Sequence, residues 1–221
     1  MTYPLQSKHC SLSHDQIRVI KRLDPRASIH ALIQLTMILG LRPKEALGLC
    51  WSTVHISGRC IRICKQLYNF KGTGQYELRP FTKTFRPRTL ALGQDALRIL
   101  LIVREQQEKD KSANPSGWSN PFRLVFTHHD GRPFTEEEVE TELCHLMEEA
   151  SLPHIRFYDL RHTAATAAQR ELGDITAVQR MLGHTTPTVT EKYYVDRETR
   201  GKRTVAISVN AYTEGVLNHE D

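Results

Sequence analysis

Tyr158-Asp159-Leu160-Arg161-His162-Thr163, with Leu182-Gly183-His184 and Tyr193-Tyr194 downstream of it, is the stretch on which the reading of this chain turns. A guanidinium is a planar, permanently charged fork that matches two phosphate oxygens. An imidazole can donate to the same oxygens, and a tyrosine hydroxyl can attack a phosphorus. On a helix Tyr158 and Arg161 stand three residues apart and share a face, so both can line one cleft. Taken singly, each residue has a plainer role. Arg161 can pair with Asp159 or Glu171, and His184, after a glycine that lets the chain turn sharply, can be an ordinary turn residue.

Upstream, Ser13 and Gln16 form a capping box that opens a helix buried through Ile17, Ile20 and Leu23 and stopped by Pro25. A second helix is predicted from about Ala27 to Leu39, with Gly40 as its C-cap. Pro43 suits the first turn of a short third helix running to Leu49, which places Arg42 in a tight turn between two buried helices. Taken alone, Arg42 has Glu45 as an obvious partner three residues on. From Arg59 to Leu92 the pattern turns to β, with strands at Cys60–Cys64 and Arg88–Leu92 and a glycine-bearing turn or extended hairpin loop from Asn69 to Gln75. Helix returns from about Asp95 to Lys109, and the polar segment from Lys111 to Pro121 reads as a surface loop. A second capping box, Thr135 with Glu138, opens a helix to about Ala150. Further helices are expected near Phe157–Leu172, Ile175–Leu182 and Pro187–Tyr194, and a strand at Thr204–Val209. The fold class is therefore α+β, one mostly helical domain with a small antiparallel sheet.

The 221 residues give ample length for a core, and a net charge of +5 with a pI near 9.0 suits a polyanionic partner. The five cysteines form no CxxC pair, and Cys60 and Cys64 sit in an alternating apolar run, which fits reduced packing in a cytoplasmic protein. No secretion signal or membrane span is expected. The eleven histidines include no HExxH spacing, and His128-His129-Asp130-Gly131 reads as an exposed turn, so neither metal nor other cofactor is expected.

Four motifs in series resemble the tyrosine recombinases of the phage-integrase type. Gly40-Leu41-Arg42-Pro43-Lys44-Glu45-Ala46-Leu47-Gly48-Leu49 resembles their first conserved box. Phe81-Thr82-Lys83-Thr84-Phe85-Arg86-Pro87-Arg88-Thr89-Leu90 looks like their β-hairpin lysine motif. Tyr158 to Thr163 resembles the second box, and Leu182-Gly183-His184 with the tyrosine pair resembles the last. The resemblance implies a metal-independent enzyme that cuts and rejoins double-stranded DNA, integrating or excising a mobile element. Arg42 and Arg161 would clamp the scissile phosphate, with His184 donating to it. Lys83 would protonate the leaving 5′ oxygen, and a tyrosine would form a 3′-phosphotyrosine link that stores the bond for rejoining. Glu45 would orient Arg42, and His162 would brace its helix.

The family usually has histidine where this chain has Tyr158, and a phenol cannot serve as a base near neutral pH. Members commonly carry a polar residue two positions after the nucleophile. Asp196 stands so to Tyr194, which is favoured over the alternative, Tyr193. The resemblance also implies a homotetramer on DNA, with a monomer when free. The whole chain, 1–221, reads as a catalytic domain without the core-binding and arm-binding domains that precede it in the family. Its tail from about 195 either exchanges between protomers or completes this protomer's own sheet. The segment from Gln66 to Glu77 resembles an insertion of conjugative-transposon integrases. Two other functions share the fold: a cleavage-deficient DNA-binding regulator, which Tyr158 favours, and a type IB topoisomerase-like relaxing enzyme.

Overall fold

A computed structural model describes residues 11–70, 72–81 and 87–172. Lys83, His184, Tyr193, Tyr194, the two last expected helices, the Thr204–Val209 strand and the tail lie outside the described residues. Among the described residues six α-helices run in the order α1 (His14–Arg22), α2 (Ser28–Leu39), α3 (Pro43–Leu47), α4 (Gln94–Ala113), α5 (Glu136–Glu149) and α6 (Phe157–Leu172). Between α3 and α4 lie β1 (Val54–His55), β2 (Cys60–Ile63), β3 (Lys65–Phe70), β4 (Gln75–Pro80) and β5 (Arg88–Ala91).

The core is organised around α2, in which every residue from Ala31 to Leu39 is buried. A helix apolar on all sides needs partners on all sides, and α1, α3, α4, α5 and α6 each pack on it. The Nε2 of its buried Gln34 donates to the carbonyls of Ile20 and Leu23 at the end of α1, at 3.0 Å each. That contact takes up acceptors which a helix end leaves open. One continuous apolar cluster joins Leu12 to Ala168, so the described residues share a single core. Among them no helix is long and apolar enough to cross a membrane.

The strands form two antiparallel sheets, one ordered β1-β2-β5 and the other the hairpin β3-β4. Ile61 opposes Leu90 and Ile63 opposes Arg88. Alternation along β5 turns Arg88 and Leu90 inward together. The expected turn after Asn69 is tighter than its sequence range: β3 continues to Phe70 and β4 resumes at Gln75.

Both capping boxes form as expected, Ser13 with Gln16 and Thr135 with Glu138. Gly40 ends α2 in the left-handed conformation, φ 62°. Two boundaries differ from expectation. Helix α3 stops at Leu47, not Leu49, because Gly48 lies against β3. A Cβ there would meet the Leu67 nitrogen at 2.6 Å. Helix α4 reaches Ala113, beyond the expected Lys109, carried by spaced side-chain pairs: Lys109 with Glu105 at 2.7 Å and Gln106 with Asp110 at 2.8 Å. Cys50, Cys60, Cys64 and Cys144 are free thiols.

Candidate active site

The site begins where α2 gives way to α3. The left-handed turn at Gly40 redirects the chain, Arg42 becomes the N-cap of α3, and Pro43 fits the first helical position, where no amide hydrogen is needed. Glu45, three residues after the cap, folds back on it. Its carboxylate accepts from the Arg42 amide at 3.0 Å and from Arg42 Nη1 at 2.8 Å. This is the local pairing of Arg42 with Glu45 that the sequence offered.

The carboxylate has a second partner. Arg88, inward-facing at the start of β5, grips it with both terminal nitrogens, Nη1 to Oε1 at 2.9 Å and Nη2 to Oε2 at 2.6 Å. The Glu45 side chain is fully enclosed and that of Arg88 nearly so. Burial raises the Glu45 carboxyl, but the Arg88 hydrogen bonds and charge, with those of Arg42, outweigh it and hold the group down at about 2.

Arg161 reaches the same place from α6. Several contacts set that helix. Glu140 accepts the Phe157 amide at 3.0 Å, and Asp159 binds Arg156 through two bonds of 3.0 and 2.8 Å. Thr163 Oγ1 accepts the Leu12 amide at 2.9 Å. Asp159, a candidate partner of Arg161 by sequence, therefore fastens the start of the helix. Arg161 itself is buried, donates from Nη1 to the Gly40 carbonyl at 2.7 Å, and stands 4.0 Å from Glu45. Burial, then the charges of Arg42 and Arg88, lower the Arg161 guanidinium to about 10, against the opposing pull of Glu45 and Tyr158. It stays protonated at neutral pH, but in a setting where positive charge is crowded.

Tyr158 lies on the same helix at the surface, 37% exposed, with the His162 ring edge-on to it at 5.2 Å between centroids. The structure thus brings Arg42, Glu45, Arg161 and Tyr158 to one end of α2, with His162 beside Tyr158. Three guanidiniums around one carboxylate can receive an anion, since each gains from a further negative charge.

A family model described as the phage integrase family matches residues 11–200. The chain belongs to the phage integrase family. Its match to the tyrosine recombinase XerC of Bacillus pumilus (strain SAFR-032) is 40% identical over 164 residues, covering 74% of this chain and 48% of that protein. The transposase from transposon Tn916 of Enterococcus faecalis is 26% identical over 168 residues, covering 73% of this chain and 40% of the transposase. The Tn1549 transposon integrase, solved in complex with circular intermediate DNA, superposes with a TM-score of 0.66 at 17% identity, over 94% of this chain and 63% of that one. That likeness concerns the fold, which is the mostly helical phage-integrase catalytic fold with small antiparallel sheets. The chain spans about half the length of curated relatives it matches, 49% and 48% in two of them.

For a phage-integrase domain, the residue missed by sequence reasoning is Arg88. It stood inside the quoted lysine motif but was read only as strand. The usable signal was register. Arg88, Leu90 and Leu92 alternate, so a charged residue occupied a core-facing position and required a buried counter-charge.

Proposed function

We propose that the chain is the catalytic domain of a site-specific DNA recombinase that cuts and rejoins double-stranded DNA through a 3′-phosphotyrosine intermediate. The observation that carries this reading is the convergence of Arg42 and Arg161, from helices far apart in sequence, beside the buried Glu45–Arg88 pair. In it Arg42 and Arg161 grip the scissile phosphate and stabilise the charge that builds on its oxygens in the transition state. Glu45 and Arg88 hold Arg42 in position. Tyr158 hydrogen-bonds the phosphate or the nucleophile, and His162 braces it. Lys83 protonates the leaving oxygen, His184 donates to the phosphate, and Tyr194 attacks, with Tyr193 the alternative. The reaction conserves its bond energy, so no nucleotide is consumed. Membership of a family whose Xer and transposon members match most of this chain supports the reading. Recombination pairs two duplexes, each cut on both strands, and hence uses four protomers; assembly as a homotetramer on DNA is part of the proposal.

A suicide DNA substrate, nicked so that rejoining is impossible, tests it. The expected result is a covalent protein–DNA adduct that disappears in Tyr194→Phe. Persistence there with loss in Tyr193→Phe moves the nucleophile by one residue. Specific DNA binding without any adduct favours the second reading, a regulator that keeps the fold without cleavage, to which Tyr158 in the usual histidine position points.

A further inference from the structure

The last turns of α5 and the segment that follows it carry three side chains that the recombination chemistry does not use. Cys144 and Glu148 are four residues apart and so share a face. His154 comes from the segment leading to α6. Its Nε2 lies 3.3 Å from Glu148 Oε1 and 3.6 Å from Cys144 Sγ, and the sulfur lies 3.7 Å from the same carboxylate oxygen. One nitrogen, one oxygen and one sulfur thus form a nearly equilateral triangle.

We infer that Cys144, Glu148 and His154 form a binding site for a zinc-like divalent cation. The dimensions support it. A tetrahedral zinc binds sulfur at about 2.3 Å and nitrogen or oxygen at about 2.0 Å. At tetrahedral angles those bonds subtend edges of about 3.6 Å for S–N, about 3.5 Å for S–O and about 3.3 Å for N–O. The observed 3.6, 3.7 and 3.3 Å are close to these edges; the sulfur also stands 3.6 Å from Nδ1, facing the ring, so the imidazole must turn about its Cβ–Cγ bond to aim the Nε2 lone pair at an ion held by Cys144 and Glu148. The donor set is chemically apt: a soft thiolate and an imidazole select zinc over magnesium or calcium, whose ligands are oxygens. Charge also balances. A thiolate and a carboxylate neutralise a dication, the thiol proton leaves to solvent, and water fills the fourth position.

The ligands stand on a prepared frame. Leu152 donates to Met147 O at 2.8 Å and Ser151 to Glu148 O at 3.0 Å, with Ser151 in the left-handed conformation, φ 55°. Pro153 O accepts from Gln16 Nε2 at 2.8 Å, and Ile155 enters the core. The His154 backbone is therefore fixed between two anchored neighbours. A bound ion would tie the end of α5 to the chain entering α6, the helix that carries Arg161.

Cobalt(II) titrated into the full chain under a phosphine reductant reads the site directly. The expected result is visible ligand-field absorption of tetrahedral intensity with a thiolate-to-cobalt charge-transfer band in the near ultraviolet. Both should be lost in Cys144→Ser and weakened in Glu148→Gln, and both should be unchanged in Cys60→Ser/Cys64→Ser. Zinc affinity, from competition with a chromophoric chelator, should fall at least about tenfold in His154→Gln, since even groups that only orient a metal ligand matter by about that factor. Zinc should raise the unfolding temperature of the unmodified chain by mass action and leave that of Cys144→Ser unchanged. Glu148 is 48% exposed, so its variant folds and keeps the test decisive. Absence of the bands, their survival in Cys144→Ser, or their loss only in the Cys60/Cys64 variant overturns the inference.

Discussion

Replacing Glu45 with glutamine should remove most of what fixes the arginine cluster, and the cost can be worked from the structure. The carboxylate is fully enclosed and accepts two bonds from Arg88 and two from Arg42. Its pKa falls from 4.5 to about 2 on folding, and at about 1.4 kcal/mol per unit that gap corresponds to about 3 kcal/mol. Removing one partner of a buried ion pair costs about 3–5 kcal/mol, because the other charge is stranded. The two routes agree. At about 2–4 °C per kcal/mol for a domain of this size, Glu45→Gln should lower the unfolding temperature by roughly 6–20 °C. Urea unfolding followed through Trp51 and Trp118 should give a lower midpoint at unchanged slope. The pH dependence has a definite sign. A carboxyl depressed on folding contributes fully above its ordinary value of 4.5 and loses that contribution as pH falls through about 2. The gap between the unmodified chain and the variant should therefore narrow across that window. A cost below about 1 kcal/mol at pH 7, or a gap that does not close in acid, would refute the reasoning.

Gly48→Ala should destabilise by about 1–3 kcal/mol, because its methyl would meet backbone of β3 at 2.6 Å; denaturant titration measures it. Thr135→Ala should cost about 1 kcal/mol by opening the α5 capping box, while Thr135→Ser keeps most of that stability, again by denaturant titration. Tyr158→Phe should leave the unfolding free energy within about 0.5 kcal/mol of the original, as befits a surface residue, yet slow adduct formation on the suicide substrate about tenfold or more. Equal rates would remove Tyr158 from the site.

Much of this was legible in the chain because the signals were local. Both capping boxes, the Gly40 cap, Pro43 at the head of α3 and the span of α6 depend on neighbours within a few residues, and periodicity reports such neighbours directly. The Arg42–Glu45 contact was readable for the same reason, being three residues apart. Arg88 was not, since its partner lies 43 residues earlier and only the pairing of β5 with β2 brings the strand inward. The Gly40 carbonyl as acceptor for Arg161, 121 residues away, has no side chain to leave a trace in sequence. His154 escaped notice likewise: its partners sit on the preceding helix at spacings unlike any standard zinc signature. The α3 boundary failed because a distant element, β3, decided it.

That backbone carbonyl has a bearing on how the family can vary. Arg161 is anchored to a group every residue possesses, so no exchange of side chains around it can delete the anchor. Drift in the surrounding core leaves the guanidinium aimed. The one exposed point is the backbone torsion at position 40, where φ is 62° and residues other than glycine, asparagine or aspartate are strained. Mutational tolerance is thereby narrowest at a glycine whose own side chain contributes nothing, because its backbone torsion sets the carbonyl that Arg161 grips.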